Sequence, residues 1–522
     1  MDHPYLVLGA VTLLGWLLYT AVYRLYFHPL AHIPGPRLAA LSTWYECYYD
    51  CFRSGGGQYT FKLKELHKRY GPIIRPTPSE VHVSDPEFLD TIYAMRNRNH
   101  PFRSGLMVDQ SVGGAEDFNH HKLRREAMNP FFSVKAVLDL EPRLTHKRDK
   151  ITAILDRAVK SKLPLNLSDV FFAFSNDILR SYSFGSDNGL LDDLPEAHRQ
   201  RESLASLLLS VKAVQHFKPV FSVLGAIMPL IAGEKAIPEG IRDMVAFRND
   251  AGRNIEAILA DKTNDNKGGH SIFYELRDSP ILPPLEKTAS RLQDEATLLV
   301  MAGTESTAKS LAIATFYLLS LPDVFEKLRS QVSAAKKQTN GALSLSAMPT
   351  LRYLSAIIWE ANRLSFGVTG RSIRYSPTET LTYTASYGPN NGKTYVLPPR
   401  TWMSTVTLCT HTNESLYPDP WRFDPERWLG ASEEVDRRKR HMHSLGKGHR
   451  KCIGINVANA AISLVLAAIV EYDITLFETK ESDIKFKYDF QISHPELGSK
   501  GVQAVVEGKD ALRENNRPGI AD

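Results

Sequence analysis

The sequence predicts a mainly α-helical protein with small β sheets, a long central helix and an N-terminal membrane helix. Residues 5–23 form an uncharged run, YLVLGAVTLLGWLLYTAVY, near the start of the chain. Residues 288–321 contain no proline and a single glycine, so the helical pattern is uninterrupted there. β-like alternation is confined to short stretches within 71–85 and 366–408.

The composition is that of a folded globular protein. The 522 residues are 43% hydrophobic and 23% charged, which predicts one large domain or two moderate ones. The net charge of +5, from 63 basic and 58 acidic residues, is a small excess for this size. Nucleic-acid binding requires a strong basic stripe, so no nucleic-acid partner is expected.

The N-terminal run predicts a membrane anchor, with a buried core helix as the alternative. Its length approaches the about 20 residues that a membrane-spanning helix needs. Arg24 and Arg37 follow it, and the positive-inside rule therefore places the rest of the chain in the cytosol. The prolines of HPLAHIPGPR next predict a stiff linker. We expect an anchor at 1–26, a linker at 27–40 and one large domain at 41–522.

Most of the chain after the linker is predicted to be helical. The periodicity is largely helical from 119 to 330, and within it residues 288–321 would form a helix roughly 50 Å long. This helix is apolar on nearly all sides after Ala296, so it should be buried. Two short strands are expected within 71–85, and 416–450 shows no clear periodicity.

The chain has four cysteines: Cys47, Cys51, Cys409 and Cys452. Four thiols in so long a chain do not form a disulfide scaffold and fit a reducing compartment. Cys47 and Cys51 lie one helical turn apart, but no second metal-type pair accompanies them. We interpret them as packing residues, with half of a zinc site as the alternative.

Cys452 lies in HSLGKGHRKCIGINVANAAISLVLAAI, between basic residues and an apolar helical pattern. Four interpretations are open: a disulfide, a zinc ligand, a nucleophile and a thiolate bound to another metal. A cytosolic protein keeps its thiols reduced, which counts against a disulfide. The nearby histidines fit no familiar zinc spacing, and nothing local shows the histidine and oxyanion pocket of a nucleophile.

A thiolate ligand accounts for the neighbours of Cys452. The positive end of the following helix, predicted from Ile453 onward, would lower the pKa of the thiol. Gly448 and Gly454 permit close backbone approach and positive φ. Arg450 can meet a carboxylate on a bound cofactor.

These residues resemble the haem-binding loop of the cytochrome P-450 monooxygenases. The pattern G-x-G-x-R-x-C-x-G is carried by Gly446, Gly448, Arg450, Cys452 and Gly454, although Leu445 stands where the family usually has phenylalanine. The resemblance extends from the IPGP linker to FQISHPELGSKGVQAVV. It implies the cytochrome P-450 fold, with a long central helix over haem b and the Cys452 thiolate as the axial ligand of the haem iron.

Two further motifs carry the resemblance. IIWEANRLS contains Glu360 and Arg363, three residues apart on one helix face, and FDPERW contains Arg427. They occur in family order, 92 and 25 residues before Cys452. The resemblance implies that the three side chains form a buried structural network that fixes the haem loop.

A fourth motif, MAGTESTAKS, lies on the predicted central helix. It resembles the family pattern A/G-G-x-D/E-T-T, with Ser306 in place of the first threonine. Small Ala302 and Gly303 are expected to leave room for a diatomic ligand. The resemblance assigns catalytic roles to Glu305, Ser306 and Thr307, because an acid followed by an alcohol can relay protons.

Candidate contacts for the haem propionates are His121, Arg125 and Arg374, in addition to Arg450. His121 and Arg125 stand where the family often has W-x-x-x-R. Their alternative is an ordinary basic helix face. Arg371 is a rival to Arg374 for the same role.

The resemblance implies that the chain inserts one oxygen atom of dioxygen into a hydrophobic small molecule. Segments such as NPFFS and YPDPWRFDPERW make the sequence similar to fungal members of the family, which act on terpenoid, polyketide or alkaloid intermediates of secondary metabolism. The apolar segment 216–233 is a candidate membrane entry route, or else part of a helix hairpin. Rival functions are a dehydration, rearrangement or desaturation on the same fold, and a non-catalytic haem or lipid binder.

The chain has no flavin or nicotinamide fingerprint, so NADPH electrons are expected from a separate flavoprotein reductase, or from a cytochrome b-type donor. A basic surface that would suit an acidic partner is predicted from two clusters. These are Lys122, Arg124 and Arg125 in the first, and Arg437, Arg438, Lys439 and Arg440 in the second. For the second cluster, a solvated run of charges without a partner is the alternative. The expected location is the endoplasmic reticulum membrane, with the catalytic domain in the cytosol.

Overall fold

The computed structural model describes residues 4–509 except 104, 107, 222, 224–238, 262–270, 340 and 342. The candidate entry segment 216–233 lies mostly outside the described residues. The described chain is mostly helical with small sheets, as the sequence predicts.

Two compact units make up the chain. The smaller unit comprises Met1–Pro101, Thr369–Thr410 and Lys447–His449. The larger unit comprises Phe102–Val368, His411–Gly446 and Arg450–Asp522. The single domain expected at 41–522 stays a prediction.

The smaller unit begins with the apolar helix. It runs over Pro4–Val22, continues as a π-helical turn at Tyr23–Phe27, and its described side chains are almost all exposed. It is the one described helix that is both long and apolar enough to cross a membrane by itself. Further helices follow at Arg37–Leu41, Trp44–Cys47, Tyr59–Tyr70 and Leu89–Ile92, and the helix Thr407–His411 belongs to this unit up to Thr410.

Two small sheets complete the smaller unit. Ile73–Thr77 pairs antiparallel with Glu80–Val83, which pairs parallel with Trp402–Ser404. Leu381–Thr384 and Thr394–Leu397 form an antiparallel hairpin. The first two strands confirm the prediction of two short strands within 71–85. The residues of both strands are all buried.

The larger unit is built around the central helix, Ala289–Ser320. Its 32 residues extend about 48 Å, and Pro322 ends it because proline cannot continue the hydrogen-bond ladder. It packs along Leu167–Phe184, a helix whose residues are nearly all buried. The prediction of a long, buried central helix is confirmed.

The remaining helices of the larger unit surround this pair. They are Phe118–Met128, Val134–Asp139, Glu141–Ser161, Leu194–His216, Glu239–Ala260, Ile272–Asp278, Pro322–Gln338, Arg352–Ser365, Glu433–His441 and Ile455–Ile469. Gln503–Lys509 pairs antiparallel with both Leu165–Asn166 and Tyr472–Leu476, and Tyr488–Asp489 pairs with Ser493–His494. One large apolar core extends through these helices and the three-stranded sheet.

Candidate functional site

Cys452 lies in a tight loop immediately before the helix Ile455–Ile469. Its N–H donates a hydrogen bond to the carbonyl of Leu445 (2.7 Å), and the N–H of Gly446 donates to the carbonyl of His443 (2.9 Å). Gly446 has a φ of 70°, which favours glycine. Gly454 caps the helix, and a Cβ added to it would lie 4.0 Å from the Cys452 sulfur. The loop therefore presents the sulfur beside a helix N-terminus.

The thiol is accessible, but protein surrounds it closely enough to desolvate it. The residue is exposed, yet burial raises the pKa of the Cys452 thiol above its ordinary value. The Gly454 N–H and the Arg125 guanidinium act in the opposite direction without outweighing burial. The predicted effect of the helix N-terminus is confirmed in direction, because the Gly454 N–H lowers the pKa of the thiol, but burial is the larger effect. A coordinated metal ion would hold such a sulfur as the thiolate.

Two arginines lie against the Cys452 loop. Arg125 donates from Nη1 to the carbonyl of Lys451 (2.7 Å) and from Nε to Oδ1 of Asn129 (2.9 Å). Arg450 donates from Nη2 to the carbonyls of Ala115 (2.5 Å) and Glu116 (3.0 Å). Arg125 thus holds the backbone carbonyl next to Cys452, and Arg450 connects the loop to the segment at 115–116.

His121 lies one helical turn before Arg125 on the helix Phe118–Met128 and is buried. Burial lowers the pKa of Arg125, and the charge of Cys452 partly offsets this. The structure therefore brings Arg125 and Arg450 to the Cys452 loop and places His121 on the same helix as Arg125. Their contacts with a cofactor carboxylate stay predictions.

Arg374 and Arg371 differ in what they pair with inside the smaller unit. Arg371 donates to Glu46 (2.6 Å) and Glu80 (2.8 Å), and all three side chains are buried. Arg374 donates to the carbonyl of Ile373 and contacts His100, and no carboxylate of the described residues pairs with it. Burial lowers the pKa of Arg374 to about 10. Of the two rivals, Arg374 is the one whose charge is not already neutralised.

The middle of the central helix exposes one stripe of side chains. Ala302 and Ser306 are exposed, although the flanking residues Met301, Thr304 and Thr307 are buried. A spacing of four residues puts Ala302 and Ser306 on one face. We call Ala302, Glu305, Ser306 and Lys309 the accessible stripe; Glu305 and Lys309 are half-buried.

The hydroxyl of Ser306 donates to the carbonyl of Ala302 (2.8 Å), one turn back along the helix. Of the two alcohols that directly follow Glu305, Ser306 faces the accessible side and Thr307 does not. Gly303 differs from the expectation that it leaves room for a diatomic ligand. A Cβ there would come within 2.8 Å of the Leu179 side chain, so its small size serves packing against the neighbouring helix.

A cavity of about 320 Å³ borders the opposite face of the central helix, at Met301 and Thr304. Asn176 lines it as well and donates to the Thr304 hydroxyl (3.4 Å). This cavity does not include the accessible stripe or Cys452, so we do not assign the chemistry to it.

Glu360, Arg363 and Arg427 are brought together in the larger unit. Arg363 donates from Nε and Nη2 to the two carboxylate oxygens of Glu360, both at 2.8 Å. Arg427 donates from Nε to Glu360 (3.3 Å), and the Glu360 and Arg363 side chains are fully buried. Trp428 (2.9 Å) and the Asp424 N–H (2.9 Å) complete the hydrogen bonds to Glu360.

A buried histidine that the sequence analysis missed connects this network to the Cys452 loop. Nδ1 of His411 donates to the carbonyl of Arg363 (2.9 Å), and its Nε2 accepts from the N–H of His443 (3.2 Å). Burial, with the charges of His443 and Arg363, holds the pKa of His411 well below its ordinary value. A neutral ring with one donor and one acceptor nitrogen fits both bonds. No spacing in the sequence signals it.

The loop is also held by a close backbone approach. Gly367, with a φ of 58°, lies so near the carbonyl of Ser444 that a Cβ would be 1.9 Å from it. Only glycine fits there. The start of the Cys452 loop is therefore fixed by the segment that follows the Glu360 helix.

The predicted basic surface is smaller than the sequence suggests. Arg124 is buried and pairs with Glu286 (2.7 Å), and Arg438 donates to the carbonyls of Leu416 and Arg427. Both guanidinium groups bind groups of this chain and are therefore not part of a surface for an acidic partner. Lys122, Lys439 and Arg440 remain exposed.

The comparisons with known proteins agree with these motifs. The family described as Cytochrome P450 matches residues 44–497. Cytochrome P450 monooxygenase TRI4 of Fusarium sporotrichioides is 32% identical over 501 residues, covering 95% of this chain and 93% of the relative. Cytochrome P450 monooxygenase sdnE of Sordaria araneosa is 34% identical over 532 residues, covering 97% and 99%. Tryptophan 6-hydroxylase fscE of Fusarium equiseti is 32% identical over 495 residues, covering 94% of each.

The residues present fit the haem that this family carries. An accessible, desolvated thiol is a donor suited to haem iron, and cationic side chains suited to carboxylates lie beside its loop. The match to the family covers most of the chain, and the relatives align almost from end to end. The protein is an oxidoreductase and belongs to the cytochrome P450 family of haem monooxygenases.

Proposed function

We propose that the protein hydroxylates a hydrophobic small molecule, with Cys452 as the axial ligand of haem b. The bound haem supplies dioxygen activation and the insertion of one oxygen atom into a C–H bond. The observation that carries this proposal is the exposed residue Cys452 in a loop fixed by hydrogen bonds and glycines. A structural cysteine would not need to be accessible.

Two residues of the accessible stripe, Glu305 and Ser306, supply the groups that move protons. Ser306 presents a hydroxyl whose hydrogen bond to the Ala302 carbonyl sets its direction. Glu305 precedes it and is half-buried, so it can exchange protons with water. Thr307 is buried, and its role in the relay is support of the helix around Ser306.

The cationic groups hold the cofactor and the charge network positions its loop. Arg125, Arg450, His121 and Arg374 are the proposed partners of the two carboxylates of haem. Glu360, Arg363 and Arg427 act as positioning residues, because their network reaches the loop through backbone carbonyls and His411. A buried network of this kind fixes geometry more than it adds stability.

Electrons come from NADPH through a separate flavoprotein reductase, or through a cytochrome b-type donor. The exposed Lys122, Lys439 and Arg440 offer positive charge to such an acidic partner. The exposed apolar helix Pro4–Val22 anchors the chain in the endoplasmic reticulum membrane. The catalytic units then lie on the cytosolic side.

The substrate is a terpenoid, polyketide or alkaloid intermediate of fungal secondary metabolism. The support is that the chain aligns over nearly its whole length with fungal monooxygenases, one of them a tryptophan 6-hydroxylase. Fold alone does not decide the substrate.

The test is coexpression with an NADPH-dependent reductase in a fungal host that makes such intermediates. Extracts are compared by mass spectrometry with those of the same host expressing Cys452→Ser. We expect a product that is heavier by one oxygen atom in the host expressing the wild type, and no such product in the host expressing Cys452→Ser. A product whose mass shows no gained oxygen atom, or one that also forms in cell extracts from which NADPH is omitted, contradicts the proposal. Either result indicates a rearrangement or dehydration instead.

A further inference from the structure

Lys309 completes the accessible stripe of the central helix. Ala302, Ser306 and Lys309 follow one another at intervals of four and three residues, so they share one helix face. The first two are exposed and Lys309 is half-buried, although Ala308 and Ser310 on either side of it are buried. A lysine therefore faces the same accessible space as the acid–alcohol pair.

The Lys309 ammonium has no partner in the part of the chain that the structure describes. No carboxylate there lies within 4.0 Å of it, and it forms no hydrogen bond with a described residue. Glu305, one turn earlier, interacts with it through charge at longer range, and the charge of Lys309 also lowers the pKa of His494. Burial lowers the pKa of Lys309 to about 8, against the opposing effect of Glu305.

A partly desolvated cation is costly when burial removes its hydration, and no residue among those described replaces that hydration at Lys309. Titratable groups with perturbed pKa values cluster at functional sites. Glu305 precedes Lys309 by four residues, which is the favourable order for an ion pair on a helix. The two side chains nevertheless form no ion pair within 4.0 Å. The geometry leaves the Lys309 ammonium open to a partner from outside the chain.

We propose that Lys309 is a specificity-determining residue that binds a carboxylate on an otherwise apolar substrate. This inference rests on the proposed function, and it narrows the substrate class to hydrophobic carboxylic acids. The ammonium donates hydrogen bonds to the carboxylate, while the apolar part of the substrate extends along the stripe past Ser306. The bond to be oxidised then lies at a fixed distance from the acid group.

The experiment compares dodecanoic acid with its methyl ester as probes of the full-length, haem-loaded protein. Binding is followed by the absorbance change of the haem as the probe displaces water. We expect the wild type to bind the acid about tenfold or more tightly than the ester, since hydrogen bonds to charged groups are the strong ones. Lys309→Met should remove this preference and leave ester binding unchanged, and Lys309→Arg should retain it.

Lys160→Met is the matched control, because it makes the same change in net charge at an exposed position on another helix. Equal binding of acid and ester by the wild type, or no acid binding, overturns the inference. The inference is also overturned if Lys309→Met lowers the binding affinity for the acid and for the ester by the same factor. That result would mean that Lys309 acts only through Glu305. The carbon monoxide spectrum separates this failure from that of the proposed function: a normal band with no acid preference refutes only the role of Lys309.

Discussion

Ser306 is the single alcohol of its motif that lies on the accessible side of the central helix. Its hydroxyl is held by the Ala302 carbonyl, so the group is already oriented when a ligand arrives. Thr307, which follows it, is buried. At this scale the site depends on which way one side chain points along a helix.

The first prediction is that the Ser306→Ala variant still binds substrate but consumes NADPH without forming a matching amount of product. Loss of the hydroxyl removes a proton donor from the stripe, and we expect product formed per NADPH to fall about tenfold or more, with peroxide released. The measurement is the ratio of NADPH consumed to product formed. Ser306→Thr, which keeps the hydroxyl, is the control and should stay coupled. Equal coupling in Ser306→Ala would show that another group delivers the proton.

Single residues also show where the sequence stops being informative. The motif around Gly303 could be recognised from the letters alone, but the reason for the glycine is the side chain of Leu179, far away in the sequence. The pKa of Cys452 is a similar case, since its direction depends on how much protein surrounds the sulfur. Contacts between distant segments decide both, and spacing within one segment does not contain them.

At the scale of elements, the Cys452 loop is held by its neighbours. The Glu360 helix contributes the Arg363 carbonyl, which His411 connects to the N–H of His443 at the start of the loop. Both bonds are buried and both use the neutral histidine ring. The loop is therefore positioned by an adjacent helix, through one side chain.

We predict that His411→Leu loosens the loop. A leucine of similar size leaves the His443 N–H and the Arg363 carbonyl without this partner, at a cost of about 1–3 kcal/mol in the free energy of unfolding. Denaturant unfolding and the haem content of the purified protein measure it. His146→Leu, at an exposed position, is the control. An unchanged haem content and stability in His411→Leu would mean that the loop does not depend on this bond.

A second element contact joins the start of the central helix to the helix of Arg125. Glu286 accepts hydrogen bonds from His120 (2.7 Å), Arg124 (2.7 Å) and Arg291 (3.2 Å). Burial by itself raises the pKa of Glu286, but the bonds from Arg124 and His120 outweigh it and lower the pKa to about 2. The folded state therefore favours the ionised form.

This pKa predicts a pH dependence of stability. A lowered folded-state pKa stabilises the fold above the ordinary value of 4.5, and the effect is lost as pH falls from there toward 2. After allowance for solvent screening we expect Glu286→Gln to cost about 1–2 kcal/mol at pH 7. Unfolding curves at a series of pH values should show the gap between wild type and variant closing below pH 4.5. A gap that is constant with pH would contradict the assignment.

The elements show a clear division between what could be predicted and what could not. The central helix was predicted because its helical pattern is long and uninterrupted. The strands within 71–85 were predicted because their residues alternate and prolines and a glycine mark their ends. The helix Glu433–His441 was missed, since 416–450 has no apolar periodicity. Its signals were a Ser432 cap, acidic residues in the first turn and basic residues in the last.

At the scale of the whole molecule, an exposed apolar helix precedes the folded part of the smaller unit. The apolar helix ends at Val22, and the residues just after it contact the folded part of the smaller unit. Arg24 donates to the carbonyl of Leu41 (2.5 Å), and Arg75 donates to the carbonyl of Arg24 (2.7 Å). Arg24, which lies within the anchor expected at 1–26, therefore contacts the folded part of the smaller unit, and the bounds of the anchor stay a prediction.

Deletion of residues 1–22 tests the bounds of the anchor. The shortened protein should leave the membrane pellet on an alkaline carbonate wash and keep its haem spectrum, because the Arg24 contacts are retained. A deletion of 1–26 is the comparison and should be less stable. A 1–22 deletion that resists the wash would show that another segment inserts into the membrane.

The family of the molecule could be predicted from four short motifs, whereas the two-unit arrangement could not. The smaller unit is assembled from three separated stretches of the chain, including Lys447–His449, and no linker marks their boundaries. Motifs carry chemistry within one segment, but units are defined by which distant segments pack together.

The most direct test of the account is the carbon monoxide spectrum of the reduced protein. We predict that the wild type, produced with haem, shows the red-shifted band of a thiolate-bound iron and that Cys452→Ser loses it. Cys409→Ser, at a buried cysteine elsewhere in the chain, should keep it. A band that survives in Cys452→Ser, or a wild-type protein that takes up no haem, would contradict the assignment of Cys452.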